Sequence, residues 1–134
     1  KRLKAISDHE SHLAENGTVI LKFFLNVSKE EQKRRFLRRI ELQEKNWKFS
    51  SGDLKERKLW GKYQEAYEKA IQKTSTDHAP WYITPADNKP EARLLVAKTI
   101  YDTLKTYSDI KEPTLAIDEA SQLTSYLSEL RREL

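Results

Sequence analysis

Residues 18 to 27 read T-V-I-L-K-F-F-L-N-V, and the next four, S-K-E-E, carry a helix-opening signal. A β-branched and aromatic run with one internal charge is the pattern of a strand covered on both faces, the parallel-sheet kind. Ser28 followed by Glu31 is a capping box, so a helix should leave directly from the strand's end. A buried strand handing over to a helix leaves few architectures open, and an α/β fold is the first of them.

The rest of the chain fits that frame. Leu3, Ile6 and Leu13 place one apolar side on a helix over residues 2–15, which Asn16-Gly17 should stop. From Lys29 to about Leu42 the spacing predicts a two-sided helix. Gln32, Arg35, Phe36 and Arg39 share one arc, whereas Arg34 and Arg38 point elsewhere. Asp53 to Gln72 reads as one long helix with Leu59, Tyr63, Ala66, Tyr67, Ala70 and Ile71 inward, and with Asp53 and Arg57 as an i, i+4 pair. P-W-Y-I-T, from Pro80, is a second short strand, and Pro90 should open a helix running to about Lys105. After a linker, a last helix over about 114–134 carries Ile117, Ala120, Leu123, Leu127, Leu130 and Leu134 as a stripe. Strands separated by helices give a parallel sheet. Two strands make a small one, so further strands are expected from outside this sequence or from partner chains.

Composition excludes several classes. There is no cysteine, hence no disulfide and no thiolate metal site, and no apolar run approaches the ~18 to 20 residues of a membrane span. His9, His12 and His78 are scattered, and solvated side chains explain them better than a metal does. The chain holds three glycines and no G-x-x-x-x-G-K-[ST], so it has no phosphate-cradling loop of its own. It also holds no methionine, so Lys1 is not a translation start and a piece of something longer is expected.

Charge points to an anionic partner. Net charge is +4, and Lys29 to Arg39 carries six basic residues against two acids. In open parallel sheets ligands gather beyond the strands' carboxyl ends, here residues 26–30 and 85–89. The basic helix leaves from the first, and Asp87, Lys89 and Arg93 follow the second. Arg35 and Arg39 can grip phosphate oxygens with their forks, or equally pair with Glu31 and Glu41 or lie over Phe36. Asp87 can cap a helix and Lys89 can be solvent-exposed. Trp60 and Trp81 read as core, leaving Trp47 on the connector as the ligand-facing candidate.

The residues carry a resemblance as well. S-K-E-E-Q-K-R-R-F-L-R-R from Ser28, K-N-W-K-F-S-S-G-D-L-K-E-R from Lys45, W-G-K-Y-Q-E-A-Y from Trp60, A-P-W-Y from Ala79 and A-D-N-K-P-E-A-R from Ala86 resemble the C-terminal half of the polyphosphate kinase 2 family. The likeness runs from about residue 8 to 105. It implies part of a P-loop kinase-like, three-layer α/β fold, with two strands, lid helices and C-terminal helices. On this expectation residues 1–134 are a C-terminal fragment of one such domain, with the lid at about 33–63.

The implied activity is phosphoryl transfer between inorganic polyphosphate and a nucleoside mono- or diphosphate, with Mg2+. The family's Q-x-x-R-F-x-x-R pattern lands on Gln32, Arg35, Phe36 and Arg39, and its D-x-K-x-x-A-R pattern on Asp87, Lys89, Ala92 and Arg93. The resemblance thus makes Arg35, Arg39, Lys45, Lys48, Arg57, Lys89 and Arg93 phosphate-binding, with Gln32, Asp53 and Asp87 in support. Trp47 and Phe49 would anchor the lid's turning point. No catalytic residue falls in this stretch, because the family's phosphate loop, catalytic aspartate and D-R-S segment precede it. Gln43 stands where the family often has proline. The setting expected is cytoplasmic, as a homo-oligomer, with no membrane and no nucleic acid. The alternative is a non-catalytic basic α/β module that binds nucleic acid or a protein partner, with Trp47 and Phe49 stacking on bases.

Overall fold

A computed structural model describes residues 1–133, which form two units, Lys1–Thr103 and Leu104–Leu134. In the first unit the order is α1 (Arg2–Glu15), β1 (Lys22–Asn26), α2 (Lys29–Glu41), a 3-10 helix (Gln43–Lys48), α3 (Ser51–Arg57), α4 (Trp60–Thr74) and β2 (Trp81–Pro85). Helix α5 (Lys89–Lys105) follows, and α6 (Ile117–Arg132) lies in the second unit. Gly17 takes φ +83 directly after α1, the left-handed turn that glycine makes without a side-chain clash.

Strands β1 and β2 pair in parallel, Lys22 opposite Trp81 through Asn26 opposite Pro85. Alternation sends Lys22, Phe24, Trp81 and Ile83 to one face and Phe23, Leu25, Tyr82 and Thr84 to the other. On the first face Phe24 meets Tyr67 of α4, ring centroids 5.0 Å apart, and Lys22 meets Glu10 of α1. On the second, Phe23 stacks on Tyr82, and Leu25 shares a hollow with Ala92 and Val96 of α5. Helices therefore flank both faces without sealing them, an α/β arrangement.

Several expectations need correction. The strand is five residues rather than ten, and it is not sealed on both faces: Leu25 and Ile83 keep 56% and 61% of their surface exposed. With two strands paired among the described residues, each has one open edge and too few neighbours to close the sheet. Buried side chains are small, Ala79, Ala86, Ala92, Thr74 and Thr84. Trp60 and Trp81 are half-buried rather than core; the indole N–H of Trp81 donates to Thr74 Oγ1 at 2.9 Å.

The long helix from Asp53 is two helices. Lys58 and Leu59 close a turn with N–H bonds to the carbonyls of Lys55 and Glu56, and α3 begins earlier, where the Ser50 hydroxyl accepts from the Gly52 N–H. Ser50 satisfies an N–H that the start of an uncapped helix would leave orphaned, so it sets the boundary. Helix α5 starts one residue before Pro90, and α6 starts at Ile117 rather than 114. In the second unit, acids Asp118 and Glu119 open α6 and Arg131 and Arg132 close it, complementing its dipole. Ile117, Leu123, Leu127 and Leu130 of the expected stripe are exposed; Leu134 lies outside the described residues.

Candidate functional site

Both strands end on the same side, and the loops that follow are tied together. The Ala86 N–H donates to Asn26 O at 2.9 Å, and the Ser28 N–H donates to Asp87 Oδ1 at 2.7 Å. Arg35 adds a cross-link from α2. Its Nε donates to Glu31 Oε1 at 2.7 Å, and Nη2 donates to the carbonyls of Ala86 and Asp87 at 2.6 and 3.2 Å. Asp87 thus joins the two loops, where the sequence suggested a helix cap.

Three of the expected phosphate residues meet as a result. Arg35, Lys89 and Arg93 line one hollow of about 250 Å³, walled by Leu25, Val27 and Ala92. The other expected residues sit elsewhere. Arg39 is beside Asp53, 3.5 Å away, and over the Phe36 ring. Arg57 spans from α3 to α2, donating to Lys29 O and Gln32 Oε1 at 2.8 Å each, so Asp53 and Arg57 turn to different partners rather than to each other. Gln32, Asp53 and Arg57 line a second hollow of about 430 Å³ with Phe24, Trp60 and Tyr67. Lys45 lies 3.9 Å from Glu44, and Lys48 lies over the exposed Trp47 ring, 4.6 Å from its centroid.

The connector between α2 and α3 is built of caps. Asn46 Nδ2 donates to the carbonyls of Arg39 and Ile40 at 2.8 Å each, which satisfies groups that the end of α2 leaves open. Phe49 is half-buried, whereas Trp47 keeps 78% of its surface, so of the two only Phe49 anchors the turn. Sequence reasoning did not single out Asn46; its polar amide just past a helix end was the available signal.

Glu31 sits under Arg34 and Arg35, with 10% of its side chain exposed. Hydrogen bonds from Arg34, then from Arg35, hold its carboxyl below the ordinary glutamate range. A depressed folded-state pKa adds stability above the unfolded value, near ~4.3, and that stability is lost as pH falls through the folded value. Melting temperatures of wild type and Glu31→Gln should therefore diverge at neutral pH and converge on acidification. A constant gap down to strong acid would exclude an ionised Glu31 as the source.

Among the described residues no three His, Asp or Glu side chains group as a metal site would need. The donor set here is basic and suits anions.

The profile of the polyphosphate kinase 2 family matches residues 1–112. A Leptolyngbya boryana protein described as lying in the chlN 3′ region is 58% identical over 106 residues, 79% of this chain and 78% of that protein. The ADP-polyphosphate phosphotransferase of Rhodopseudomonas palustris is 52% identical over 106 residues, 79% of this chain but 37% of that enzyme. The crystal structure of polyphosphate kinase 2 from Arthrobacter aurescens TC1 superposes with a TM-score of 0.84 at 42% identity, over 95% of this chain and 45% of that one. The chain thus spans less than half of these two larger proteins, and its fold is the P-loop kinase-like α/β fold of the part it matches. The chain belongs to the polyphosphate kinase 2 family.

Proposed function

We propose that this chain supplies the lid and the basic phosphate-gripping residues of an enzyme that transfers phosphoryl groups between inorganic polyphosphate and a nucleoside mono- or diphosphate. The observation that carries the reading is the hollow beyond the strand ends, where Arg35, Lys89 and Arg93 from two distant stretches meet. Phosphoryl transfer asks for little covalent work from the protein; positioning and charge stabilisation dominate.

The lid, about residues 33–63, is latched at two points of unequal strength. Arg57 holds two acceptors of α2 at 2.8 Å, whereas Arg39 has Asp53 at 3.5 Å with the two side chains 34% and 40% exposed. A phosphate outcompetes that loose carboxylate, so Arg39 is the group that swings onto substrate, while Arg57 keeps the hinge. Lys45 and Lys48 ride on the moving connector and join when it closes. Mg2+ belongs to this reading as partner of the phosphates; among the described residues no three His, Asp or Glu side chains group to cage it, and none of these steps runs through it. The cellular setting on this reading is cytoplasmic; no helix among the described residues is long and apolar enough to cross a membrane. A homo-oligomer is part of the same reading, checked by light scattering with and without residues 113–134.

The test is a chimera in which residues 20–105 replace the matching segment of the Rhodopseudomonas palustris enzyme. It should phosphorylate nucleotide from polyphosphate, and Arg39→Ala in it should lower turnover about ten-fold, on the order of 1.4 kcal/mol. A folded chimera without transfer, next to an active parent, would refute the reading.

A further inference from the structure

The turn that ends α1 joins a reactive sequence to a geometry that restrains it. Asn16-Gly17 is the only asparagine–glycine step in the chain. Glycine has no side chain to shield its peptide nitrogen, so that nitrogen reaches the amide of the asparagine before it. The Gly17 N–H gives its proton to hydroxide, the nitrogen bonds to Asn16 Cγ, and the Cγ–Nδ2 bond breaks. Nδ2 leaves as ammonia with a proton taken back from water, and a five-membered cyclic imide remains. Water then opens one or the other imide carbonyl, giving aspartate or isoaspartate. Both residues are exposed, so the water this chemistry consumes is at hand.

The folded turn withholds the reacting atoms. Thr18 N–H donates to Leu13 O and Gly17 N–H to Ala14 O, at 3.0 Å each, while Gly17 holds φ +83. These are the two crossed bonds of a Schellman cap. The attacking nitrogen is thereby committed to a carbonyl of α1. The leaving group is committed as well: Asn16 Nδ2 donates to His12 O at 2.7 Å, which turns the amide back onto the last turn of the helix. Attack needs both bonds open at once, and fraying of the end of α1 opens both.

Conversion strikes the helix that is tied to the sheet. A carboxylate in place of Asn16 has no N–H for His12 O, and it puts a negative charge beside the carbonyl end of the helix dipole. Isoaspartate also lengthens the main chain by a methylene, which throws the cap bonds out of register. Helix α1 carries Glu10, whose Oε2 lies 2.6 Å from Lys22 Nζ at the start of β1.

We infer that Asn16 is a spontaneous modification site gated by the end of α1. It is slow to react in the folded chain and is released when α1 frays. Once converted it destabilises the first unit, because the helix that supplies Glu10 loses its cap. None of this depends on the phosphate-binding reading.

The experiment ages the chain at physiological temperature and mildly alkaline pH. Mass spectrometry then follows the tryptic peptide of residues 5–22, scoring aspartate and isoaspartate separately. Asn26, Asn46 and Asn88 precede valine, tryptophan and lysine and serve as internal references. Unfolded in urea, Asn16 should convert about ten-fold faster than in the folded chain, and ahead of all three references. Glu10→Ala, which unties α1, should speed conversion without urea by about three-fold or more. Asn16→Asp should melt about 4–8 °C below wild type, whereas Asn16→Gln, whose longer side chain closes an imide ring poorly, should age unconverted. Equal rates in the folded and unfolded chain, or no acceleration in Glu10→Ala, overturn the gate. An unfolded-state rate no faster than that of the references overturns the site. Melting of Asn16→Asp level with wild type overturns the link to stability.

Discussion

Replacing Glu10 by alanine should destabilise the first unit by about 3 kcal/mol, at the lower end of the cost of breaking a buried ion pair. Lys22 Nζ lies 2.6 Å from Glu10 Oε2 and 2.6 Å from Thr74 O, with the Trp81 ring centroid at 5.3 Å. The two charged side chains keep 12% and 13% of their surface exposed. Removing the carboxylate leaves an ammonium that is largely cut off from water. The remaining carbonyl and ring face, with the residual exposure, keep the cost at the low end. A unit near one hundred residues loses about 4–8 °C of melting temperature per kcal/mol, so a fall of about 12–24 °C is expected. Replacing both partners, Glu10→Leu with Lys22→Met, should recover most of the loss, because no charge is then left stranded. Asp8→Ala is the control: its pair with Lys4 is 61% and 79% exposed and should contribute next to nothing. Melting of Glu10→Ala within a degree of wild type would exclude the pair as a structural element.

That pair also marks where the sequence stopped being informative. Lys22 was visible as the one charge inside an apolar run, and a lone charge in a strand demands a partner. Which partner depends on how α1 packs against the sheet, and twelve positions of separation hold no local signal for it. Periodic features did show through. The Ser28 hydroxyl accepts from the Glu31 N–H as a capping box requires, although the Ser28 N–H goes to Asp87 and the Glu31 carboxylate to Arg34 and Arg35, and Gly17 takes the left-handed turn expected of a helix stop. The break between α3 and α4 was hidden because Leu59, Tyr63 and Tyr67 keep helical spacing across it, while the turn is set by backbone bonds at Lys58 and Leu59. For the site, position after a strand placed Arg35, Arg39, Lys89 and Arg93 at one sheet end, and three of them, Arg35, Lys89 and Arg93, line one hollow while Arg39 turns to Asp53. It could not foresee that Arg39 and Arg57 would be occupied by Asp53, Lys29 and Gln32, contacts that depend on how the connector folds back.

The Arg35 cross-link yields a prediction of comparable size, and it separates two roles that the sequence merged. A guanidinium has five N–H donors. Arg35 directs three hydrogen bonds to Glu31 and to the carbonyls of Ala86 and Asp87, which leaves the Nη1 edge for a phosphate. Its side chain is 24% exposed, and Ala86 is buried. Arg35→Ala should therefore cost about 2–3 kcal/mol even with no ligand present, because charge-assisted bonds vanish and a buried carbonyl loses its donor. Arg35→Lys should restore less than half of this, since one ammonium cannot reach three acceptors on two elements. Hydrogen exchange should quicken at the Ser28 and Ala86 amides, whose bonds the cross-link steadies, while the Lys22–Glu10 end of the sheet stays protected. If Arg35 only gripped phosphate, the ligand-free variant would melt like wild type and the effect would appear solely in polyphosphate affinity and its salt slope. Loss in both measurements is the expected result, for an arginine that fixes the two loops with one edge and leaves the other to substrate.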